Sequence, residues 1–293
     1  MMELRSRPDE PLIRDEDFQA VANLLKAMTG IHFKSNRSAL VAGRLAKQDK
    51  LLGLGSIQAY CAYLQRSDNV AEKDAFIAAL TTNMTRFNRE PGHFRDLSEQ
   101  VLPKLVDKAR RGDRIRIWSA ACSTGEEAYD LAFHVLSADA AIAERDVRIL
   151  ATDIDQTALA TATTGVYPSN GLDELPKGFI DRFFDAGGAP TGMKRVGRCA
   201  RDLITFRRLN LNADWPFQGK FDVIMCRNVA IYFDSDTQAR LWRRLADRLQ
   251  PDGTLYLGHS ETLPDQVARS LLICGAGTFR RPGHDRRAAS GVN

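Results

Sequence analysis

Two segments of the sequence place carboxylates directly after short apolar stretches that predict β-strands. The first, Ala121-Cys-Ser-Thr-Gly-Glu-Glu127, predicts a tight turn that opens a helix with two glutamates in its first turn. The second ends in Asp153, at the end of the next predicted strand. Ligands of open parallel sheets bind at the carboxyl ends of strands, where a carboxylate after the second strand typically binds ribose hydroxyls. The two segments therefore predict a site for a nucleoside-bearing cofactor.

The composition of the first loop separates the possible cofactors. It has one glycine, Gly125, whereas dinucleotide sites have G-x-G-x-x-G and a pyrophosphate on the helix N-terminus. Glu126 and Glu127 would repel a pyrophosphate but could accept hydrogen bonds from an amino group. S-adenosylmethionine fits, because it carries ribose, adenine and an amino acid but no phosphate. The alternative is that the glutamates only complement the helix dipole and that Asp153 only caps a helix.

The elements that would position these residues change character near residue 112. From 15 to about 110 the spacing of apolar residues predicts helices. Beyond that point strands alternate with helices, and Phe221–Cys226 is nearly all apolar, as in a strand covered on both faces. The alternation predicts an α/β fold with a doubly wound, mostly parallel sheet. The Gly- and Pro-containing stretch 166–202 interrupts it and predicts a small inserted antiparallel β-subdomain.

The overall composition excludes several classes of protein. With 293 residues, 44% of them hydrophobic and 27% charged, the chain is neither disordered throughout nor collagen-like nor a coiled coil. It has no apolar run of ~18 residues, so we expect no transmembrane helix, and no secretory signal is visible. Its five cysteines and five histidines form neither C-x-x-C nor H-E-x-x-H, which predicts no disulfide framework, no metal site and a cytoplasmic location. The net charge of +4 does not by itself indicate nucleic acid binding.

Five strings, in this order along the chain, resemble the chemotaxis receptor methyltransferases of the CheR family. They are Thr81-Thr-Asn-Met-Thr-Arg-Phe-Asn-Arg89, Trp118-Ser-Ala-Ala-Cys-Ser-Thr-Gly-Glu-Glu127, Ala151-Thr-Asp-Ile-Asp155, Phe221-Asp-Val-Ile-Met-Cys-Arg-Asn-Val-Ala-Ile-Tyr-Phe233 and Leu257-Gly-His-Ser-Glu261. Each string alone is weak evidence, but five in the correct order are specific. The resemblance extends from about residue 15 to 281.

The resemblance implies a domain organisation and an activity. A polar lead-in (1–14) would precede a helical, substrate-recognising domain (15–100). A Rossmann-like S-adenosylmethionine-dependent methyltransferase domain (101–281) would contain the insert at 166–202, and a disordered tail (282–293) would follow. Family members methylate glutamate side chains on the cytoplasmic helices of chemoreceptors in chemotactic signal transduction, forming glutamyl methyl esters and S-adenosylhomocysteine. The implied partners are chemoreceptor cytoplasmic domains, without nucleic acid and without membrane insertion.

The same motifs imply the residues of the site. The cofactor-binding set comprises Asn83, Thr85, Arg89, Glu127, Asp153, Asn210, Leu211, Asn228 and Val229. Arg89 and Tyr232 are the candidate catalytic residues. Because a glutamate side chain is already ionised at pH 7, it needs no general base to attack a sulfonium methyl group. We therefore assign Arg89 and Tyr232 to orientation and charge rather than to proton transfer, and the sequence leaves open whether Arg89 faces substrate or cofactor.

A basic stretch in the helical region predicts the substrate-binding surface. Between residues 30 and 66 one acidic residue, Asp49, accompanies six basic ones, namely Lys34, Arg37, Arg44, Lys47, Lys50 and Arg66. We expect Arg44, Lys47 and Lys50 to bind the acidic receptor helices. The alternative is a solvated helix face.

Two other functions compete with that of a receptor methyltransferase. The chain could be a non-catalytic S-adenosylmethionine-binding signalling scaffold. Less in keeping with the sequence is a nucleic-acid methyltransferase, because Asn228 is followed by Val-Ala-Ile rather than by Pro-Pro-Tyr.

Two positions depart from the family pattern. Asn88 stands where the family commonly has a second phenylalanine, and Asp130 where it commonly has serine. We expect these two residues to affect packing or substrate approach rather than cofactor binding.

Overall fold

The computed structural model describes residues 13–34 and 37–283, and it describes residues 46–52 without their side chains. Most of the predicted lead-in and tail lies outside the described residues. The chain divides into two compact units, each described by itself below. The first comprises residues up to Thr82 together with Tyr232–Asp234, and the second comprises Asn83–Ile231 and the chain from Ser235 onward.

The first unit is helical, as the sequence predicts. Its helices are α1 (Asp15–Thr29), α2 (Ser38–Leu52), α3 (Ile57–Arg66) and α4 (Val70–Leu80). Gly30 ends α1 with a φ of 82°, a left-handed conformation that glycine adopts without steric cost. The Ser56 hydroxyl caps α3 by accepting the Ala59 N–H. The apolar stripes of these helices form a core that contains Val21, Leu25 and Phe76.

The second unit contains a seven-stranded sheet whose larger part is parallel. The strands of this sheet are β1 (Ile115–Ala120), β2 (Val147–Asp153), β5 (Ile204–Arg208), β6 (Phe221–Cys226), β7 (Leu249–Leu257), β8 (Leu272–Gly275) and β9 (Thr278–Arg280). Their order is β5-β2-β1-β6-β7-β9-β8, parallel from β5 to β7 and antiparallel from β7 to β8. Every residue of β6 is buried, so both faces of the sheet are covered there.

Helices of the second unit connect and cover these strands. They are α5 (Pro91–Asp96), a π-helical turn (Leu97–Val101), α6 (Leu102–Arg110), α7 (Glu126–Ala138), α8 (Gln156–Thr164), α9 (Phe179–Phe183), α10 (Arg198–Arg201), α11 (Ser235–Asp247) and α12 (Asp265–Ala268). Helix α7 is buried along most of its length, so it lies in the centre of the core. Among the described residues, no helix combines the length and apolar character needed to span a membrane.

A two-stranded antiparallel sheet forms within the interrupting stretch, which confirms the predicted inserted subdomain. Its strands are β3 (Val166–Pro168) and β4 (Met193–Arg195). The predicted fold class is therefore confirmed in each of its parts: a helical N-terminal domain, a mostly parallel α/β sheet and a small antiparallel insert.

The division between the two units lies at Thr82, whereas the sequence led us to expect a domain boundary at residue 100. Segment 83–100 belongs to the sheet-containing unit because its apolar side chains are buried there. Phe87, Phe94 and Leu97 join the core formed by α7 and the strands. A helical pattern alone could not reveal which core these helices would join.

Gly125 gives the sharpest stability prediction of the fold. Its φ is +98°, and an added Cβ would lie 2.7 Å from the Ala162 Cβ and 2.9 Å from the Tyr167 hydroxyl. We therefore expect Gly125→Ala to lower the free energy of unfolding by about 2–4 kcal/mol, through backbone strain and overpacking. Gly112→Ala is the matched control, since its φ is +91° with open space around the glycine. In denaturant unfolding, Gly112→Ala should lower the free energy of unfolding by less than Gly125→Ala does. Equal decreases in the two variants would contradict the steric overlap at Gly125.

Candidate functional site

The candidate site lies where the parallel strands end, at the reversal of strand order. Strand β1 is flanked by β2 on one side and β6 on the other, so its carboxyl end marks the topological switch point. Six described non-glycine residues have a positive φ, and five of them lie in loops at this candidate site, namely Asn88, Glu90, Ala121, Ser123 and Asn228. Such strain persists only where the surrounding structure holds it, and it concentrates at functional sites.

Asp153 organises the turn between β1 and α7. Its Oδ2 accepts the Ser123 N–H at 2.8 Å, and its Oδ1 accepts the Asp155 N–H at 2.9 Å. Each oxygen keeps a lone pair for a further donor. Burial, which opposes the charged form, raises the pKa of Asp153 to about 6. The nearby Ser123 hydroxyl is buried without a protein partner, as expected of a group that completes its hydrogen bonds with a bound cofactor.

Asn83 reaches the same end of the sheet through the residue that caps α8. Its Nδ2 donates to the Asp155 Oδ2 at 2.6 Å, while the Asp155 Oδ1 accepts the N–H groups of Thr157 and Ala158. Asp155 therefore fixes both the start of α8 and the side chain of Asn83. Thr85 is half-buried two residues further along this segment.

Glu127 is held from two directions. The Ser119 hydroxyl donates to its Oε1 at 2.6 Å, and the Arg227 Nε donates to its Oε2 at 2.7 Å. These contacts fix the carboxylate that the sequence assigns to the cofactor. The neighbouring Glu126 accepts a hydrogen bond from the Thr124 hydroxyl at 2.7 Å, and burial raises its pKa.

Arg227 is a central residue that the sequence reasoning did not identify. Its side chain is 2% exposed and its Nη1 donates to the backbone carbonyl of Arg89 at 2.6 Å. The same Nη1 lies 3.5 Å from the Glu90 Oε2, and the guanidinium stands 5.2 Å from the centre of the Phe94 ring. Arg227 thus connects the end of β6 with Glu127 and with the segment before α5. The available signal was an arginine directly after an all-apolar strand.

One cluster of described residues could in principle ligate a metal ion: Glu90, His93 and His259. The His93 Nε2 lies 3.0 Å from the Ala276 carbonyl, so this nitrogen carries the proton and Nδ1 has the lone pair. However, the Arg227 Nη1 lies 3.5 Å from both the His93 Nδ1 and the Glu90 Oε2. A divalent ion there would face a fixed positive charge, at a cost of several kcal/mol. We therefore interpret the cluster as part of the ion network around Arg227.

Asn228 and Val229 follow β6 in a loop that a second unforeseen residue holds. The Glu261 carboxylate accepts the backbone N–H groups of Asn228, Val229 and Ala230. The Asn228 side chain donates to the Glu90 Oε1 at 3.3 Å. The sequence placed Glu261 in a family motif but gave it no role.

Asn210 and Leu211 form a turn after β5. The Asn210 Oδ1 accepts the Asn212 N–H at 2.9 Å, the geometry of an Asx turn. The Leu211 carbonyl accepts a hydrogen bond from the Arg244 Nη1 at 2.9 Å. Side-chain contacts thus fix the position of this turn.

The two candidate catalytic residues lie in different units. Arg89 belongs to the second unit, and its Nη1 donates to the Met84 carbonyl at 2.9 Å. Tyr232 belongs to the first, where its backbone carbonyl accepts the His32 N–H at 2.8 Å and the Arg37 guanidinium stands 6.0 Å from its ring centre.

The predicted substrate-binding residues are only partly described. The Arg44 Nη1 donates to the carbonyls of Leu80 and Thr81, and its Nη2 donates to the Thr82 hydroxyl. Arg44 therefore holds the C-terminal end of α4, which a charge count could not reveal. The side chains of Lys47 and Lys50 lie outside the described set.

The two residues that depart from the family pattern contact each other. The Asp130 Oδ2 accepts the backbone N–H of Asn88 at 2.6 Å, and the Asn88 Nδ2 donates to the Glu174 carbonyl at 2.7 Å. Burial raises the pKa of Asp130 well above its usual range. Together they tie the residue before Arg89 to α7 and to the insert.

The ionisation of Asp153 predicts how cofactor binding depends on pH. If Asp153 accepts the ribose hydroxyls, as the sequence predicts, binding favours the charged form and lowers the pKa of Asp153 from its free value of about 6. Affinity for S-adenosylhomocysteine should therefore rise with pH up to about 6 and remain constant above it. The loss between pH 7.5 and pH 5 should be about tenfold, measured by isothermal titration calorimetry.

Asp153→Asn is the control for this measurement. It should bind at least tenfold more weakly than the parent at pH 7.5, about 1.4 kcal/mol, with an affinity that is constant from pH 5 to 7.5. If the parent protein binds S-adenosylhomocysteine with the same affinity at pH 5 and pH 7.5, Asp153 is not part of the cofactor site.

Comparison with known proteins identifies the family. Residues 83–276 match the CheR methyltransferase, SAM binding domain family, and residues 16–81 match the CheR methyltransferase, all-alpha domain family. A probable chemotaxis protein methyltransferase of Rhizobium etli is 42% identical over 252 residues, covering 86% of this chain and 94% of the relative.

Two further relatives are also named chemotaxis protein methyltransferases. Chemotaxis protein methyltransferase 2 of Pseudomonas aeruginosa is 43% identical over 252 residues, covering 84% of this chain and 86% of the relative. The chemotaxis protein methyltransferase of Escherichia coli is 37% identical over 263 residues, covering 89% of each chain. With both domains matched and relatives of 37–43% identity covering most of its length, the chain belongs to the CheR family of chemotaxis methyltransferases.

Proposed function

We propose that the protein transfers the methyl group of S-adenosylmethionine to glutamate side chains on the cytoplasmic helices of chemoreceptors. The products would be glutamyl methyl esters and S-adenosylhomocysteine. The cofactor belongs to the family, whereas the glutamyl substrate is our inference from the family and from the charges around Arg89.

The observation that carries this proposal is how few partners the Arg89 guanidinium has among the described residues. In the part of the chain that the structure describes, Arg89 has no carboxylate partner, and its guanidinium donates a hydrogen bond to the Met84 carbonyl at 2.9 Å. The neighbouring Arg227, by contrast, is paired with Glu127 and Glu90. A half-buried guanidinium with free donors fits a planar carboxylate bidentately. Arg89 can therefore bind a substrate glutamate or the carboxylate of the cofactor.

The proposed reaction needs positioning rather than proton transfer. The ionised glutamate oxygen attacks the methyl carbon as the bond from carbon to sulfur breaks, and its electron pair returns to sulfur. No proton moves in this step, so the site need only align the three reacting centres and exclude water. We propose the cofactor set Asn83, Thr85, Arg89, Glu127, Asp153, Asn210, Leu211, Asn228 and Val229 for this purpose, with Arg89 and Tyr232 orienting the groups that react.

We further propose that the helical unit recognises the receptor through α2. Its basic residues, among them Lys47 and Lys50, give a charge that suits an acidic helix bundle. Arg44 would contribute its charge while it holds the end of α4.

The lability of the product in alkali tests the proposed function. Incubation with tritiated S-adenosylmethionine and receptor cytoplasmic fragments should give label that mild alkali releases as methanol, because esters hydrolyse and methylated nucleobases do not. Arg89→Lys keeps the charge but loses bidentate geometry, so we expect at least a tenfold lower kcat/KM, about 1.4 kcal/mol. Arg95→Lys, an exchange of the same type on α5, is the control and should retain parental kcat/KM.

Alkali-stable label would contradict esterification. Binding of S-adenosylhomocysteine without transfer to any receptor fragment would instead favour the non-catalytic scaffold.

A further inference from the structure

The loop that follows β6 has an internal anion at its centre. The Glu261 Oε1 accepts the N–H groups of Val229 at 3.0 Å and Ala230 at 2.7 Å. Its Oε2 accepts those of Asn228 and Gly258, both at 2.8 Å. One carboxylate thus satisfies four backbone donors, three of them from consecutive residues. Successive N–H groups that converge in this way form an anion-binding nest.

We propose that Glu261 is a positioning residue that holds Asn228 and Val229 in their cofactor-binding conformation. This inference rests on the proposed placement of these two residues at the cofactor. It is independent of the substrate that receives the methyl group.

The backbone of Asn228 shows why the loop needs such a residue. Its φ of 59° is a left-handed conformation, which asparagine adopts more readily than most residues but which surrounding contacts still have to stabilise. The Glu261 carboxylate supplies that support, because it accepts the N–H of Asn228 and those of the two residues that follow. The Asn228 side chain is oriented separately, by the Glu90 Oε1.

Gly258 permits the close approach that this arrangement requires. A Cβ added at Gly258 would lie 2.9 Å from the Glu261 Oε2 and 2.6 Å from the Asn228 Nδ2. The turn after β7 and the loop after β6 therefore meet at a glycine, with the carboxylate between them. Any side chain at position 258 would displace the carboxylate, the asparagine or both.

The charge of Glu261 is balanced by amide dipoles rather than by a cation. Within the described part of the chain, no ion pair of Glu261 is found, and its exposed fraction is 7%. The ionised form is the one that can accept all four N–H groups. An amide at this position would turn one donor group toward backbone donors, so Glu261→Gln is a severe test in spite of its matched size.

Asp222, on strand β6, provides a matched control. It is also buried, with an exposed fraction of 5%, and it accepts the Arg116 N–H at 2.9 Å and a hydrogen bond from the Lys108 Nζ at 3.2 Å. However, it lies at the amino end of β6, whereas the candidate site lies at the carboxyl end. Loss of either carboxylate should destabilise the fold, but only loss of Glu261 should disturb the cofactor loop.

The experiment compares thermal unfolding with cofactor affinity for the full chain. We expect Glu261→Gln and Asp222→Asn each to lower the Tm. At a temperature where all variants are folded, Glu261→Gln should bind S-adenosylhomocysteine at least tenfold more weakly than the parent, whereas Asp222→Asn should bind it within twofold of the parent. Glu261→Asp, which keeps the charge on a shorter side chain, should recover part of the affinity.

Steady-state methyl transfer gives a second readout. The KM for S-adenosylmethionine should rise in Glu261→Asp by a larger factor than kcat falls. If Glu261→Gln does not fold, Glu261→Asp takes its place, since its shorter side chain draws the carboxylate away from the four N–H groups. The proposal would be overturned if the folded Glu261 variant bound S-adenosylhomocysteine as tightly as the parent. It would also be overturned if Asp222→Asn lost as much affinity as the Glu261 variant. A failure of glutamyl methylation alone would leave these binding results intact and would count only against the proposed substrate.

Discussion

The buried guanidinium of Arg227 is the constraint on which the rest of the site depends. An arginine cannot lose its proton in a protein, so its burial requires partners that match its charge and its donors. Here the Glu127 carboxylate and the Arg89 carbonyl accept its hydrogen bonds, and Glu90 lies close by. One cation therefore fixes the first turn of α7 and the segment that carries Arg89. Both elements converge on the end of β6 because Arg227 follows that strand directly.

Around this cation the site is built from carboxylates that backbone donors orient. Asp153 accepts two N–H groups from the turns after β1 and β2, and Glu261 accepts four from the loops after β6 and β7. Each carboxylate holds a loop in which a non-glycine residue has a positive φ, Ser123 in one case and Asn228 in the other. The strain is thus matched by local hydrogen bonds, which pre-organises the loops before any ligand binds.

The sequence predicted the fold well because burial produces periodic patterns that are visible in one dimension. The apolar run of β6 and the alternation of strands and helices were enough for the parallel sheet and its insert. Contacts between distant residues leave no such pattern. Arg227 and Glu127 are 100 positions apart, and nothing local in either segment indicates the pair. For the same reason the sequence did not reveal that Asn88 and Asp130 touch, or that segment 83–100 joins the core of the sheet.

A double-mutant cycle between Arg227 and Glu127 tests the central claim, that one buried cation organises the site. Arg227→Met leaves buried carboxylates unpaired and should lower the free energy of unfolding by about 3–5 kcal/mol. In the background of Glu127→Gln the same substitution should cost at least about 1 kcal/mol less, because one of the stranded charges is then absent. Denaturant unfolding of the four proteins measures this coupling. If the losses of unfolding free energy in Arg227→Met and in Glu127→Gln instead add up to that of the double variant within about 0.5 kcal/mol, the two residues act independently and the claim is wrong.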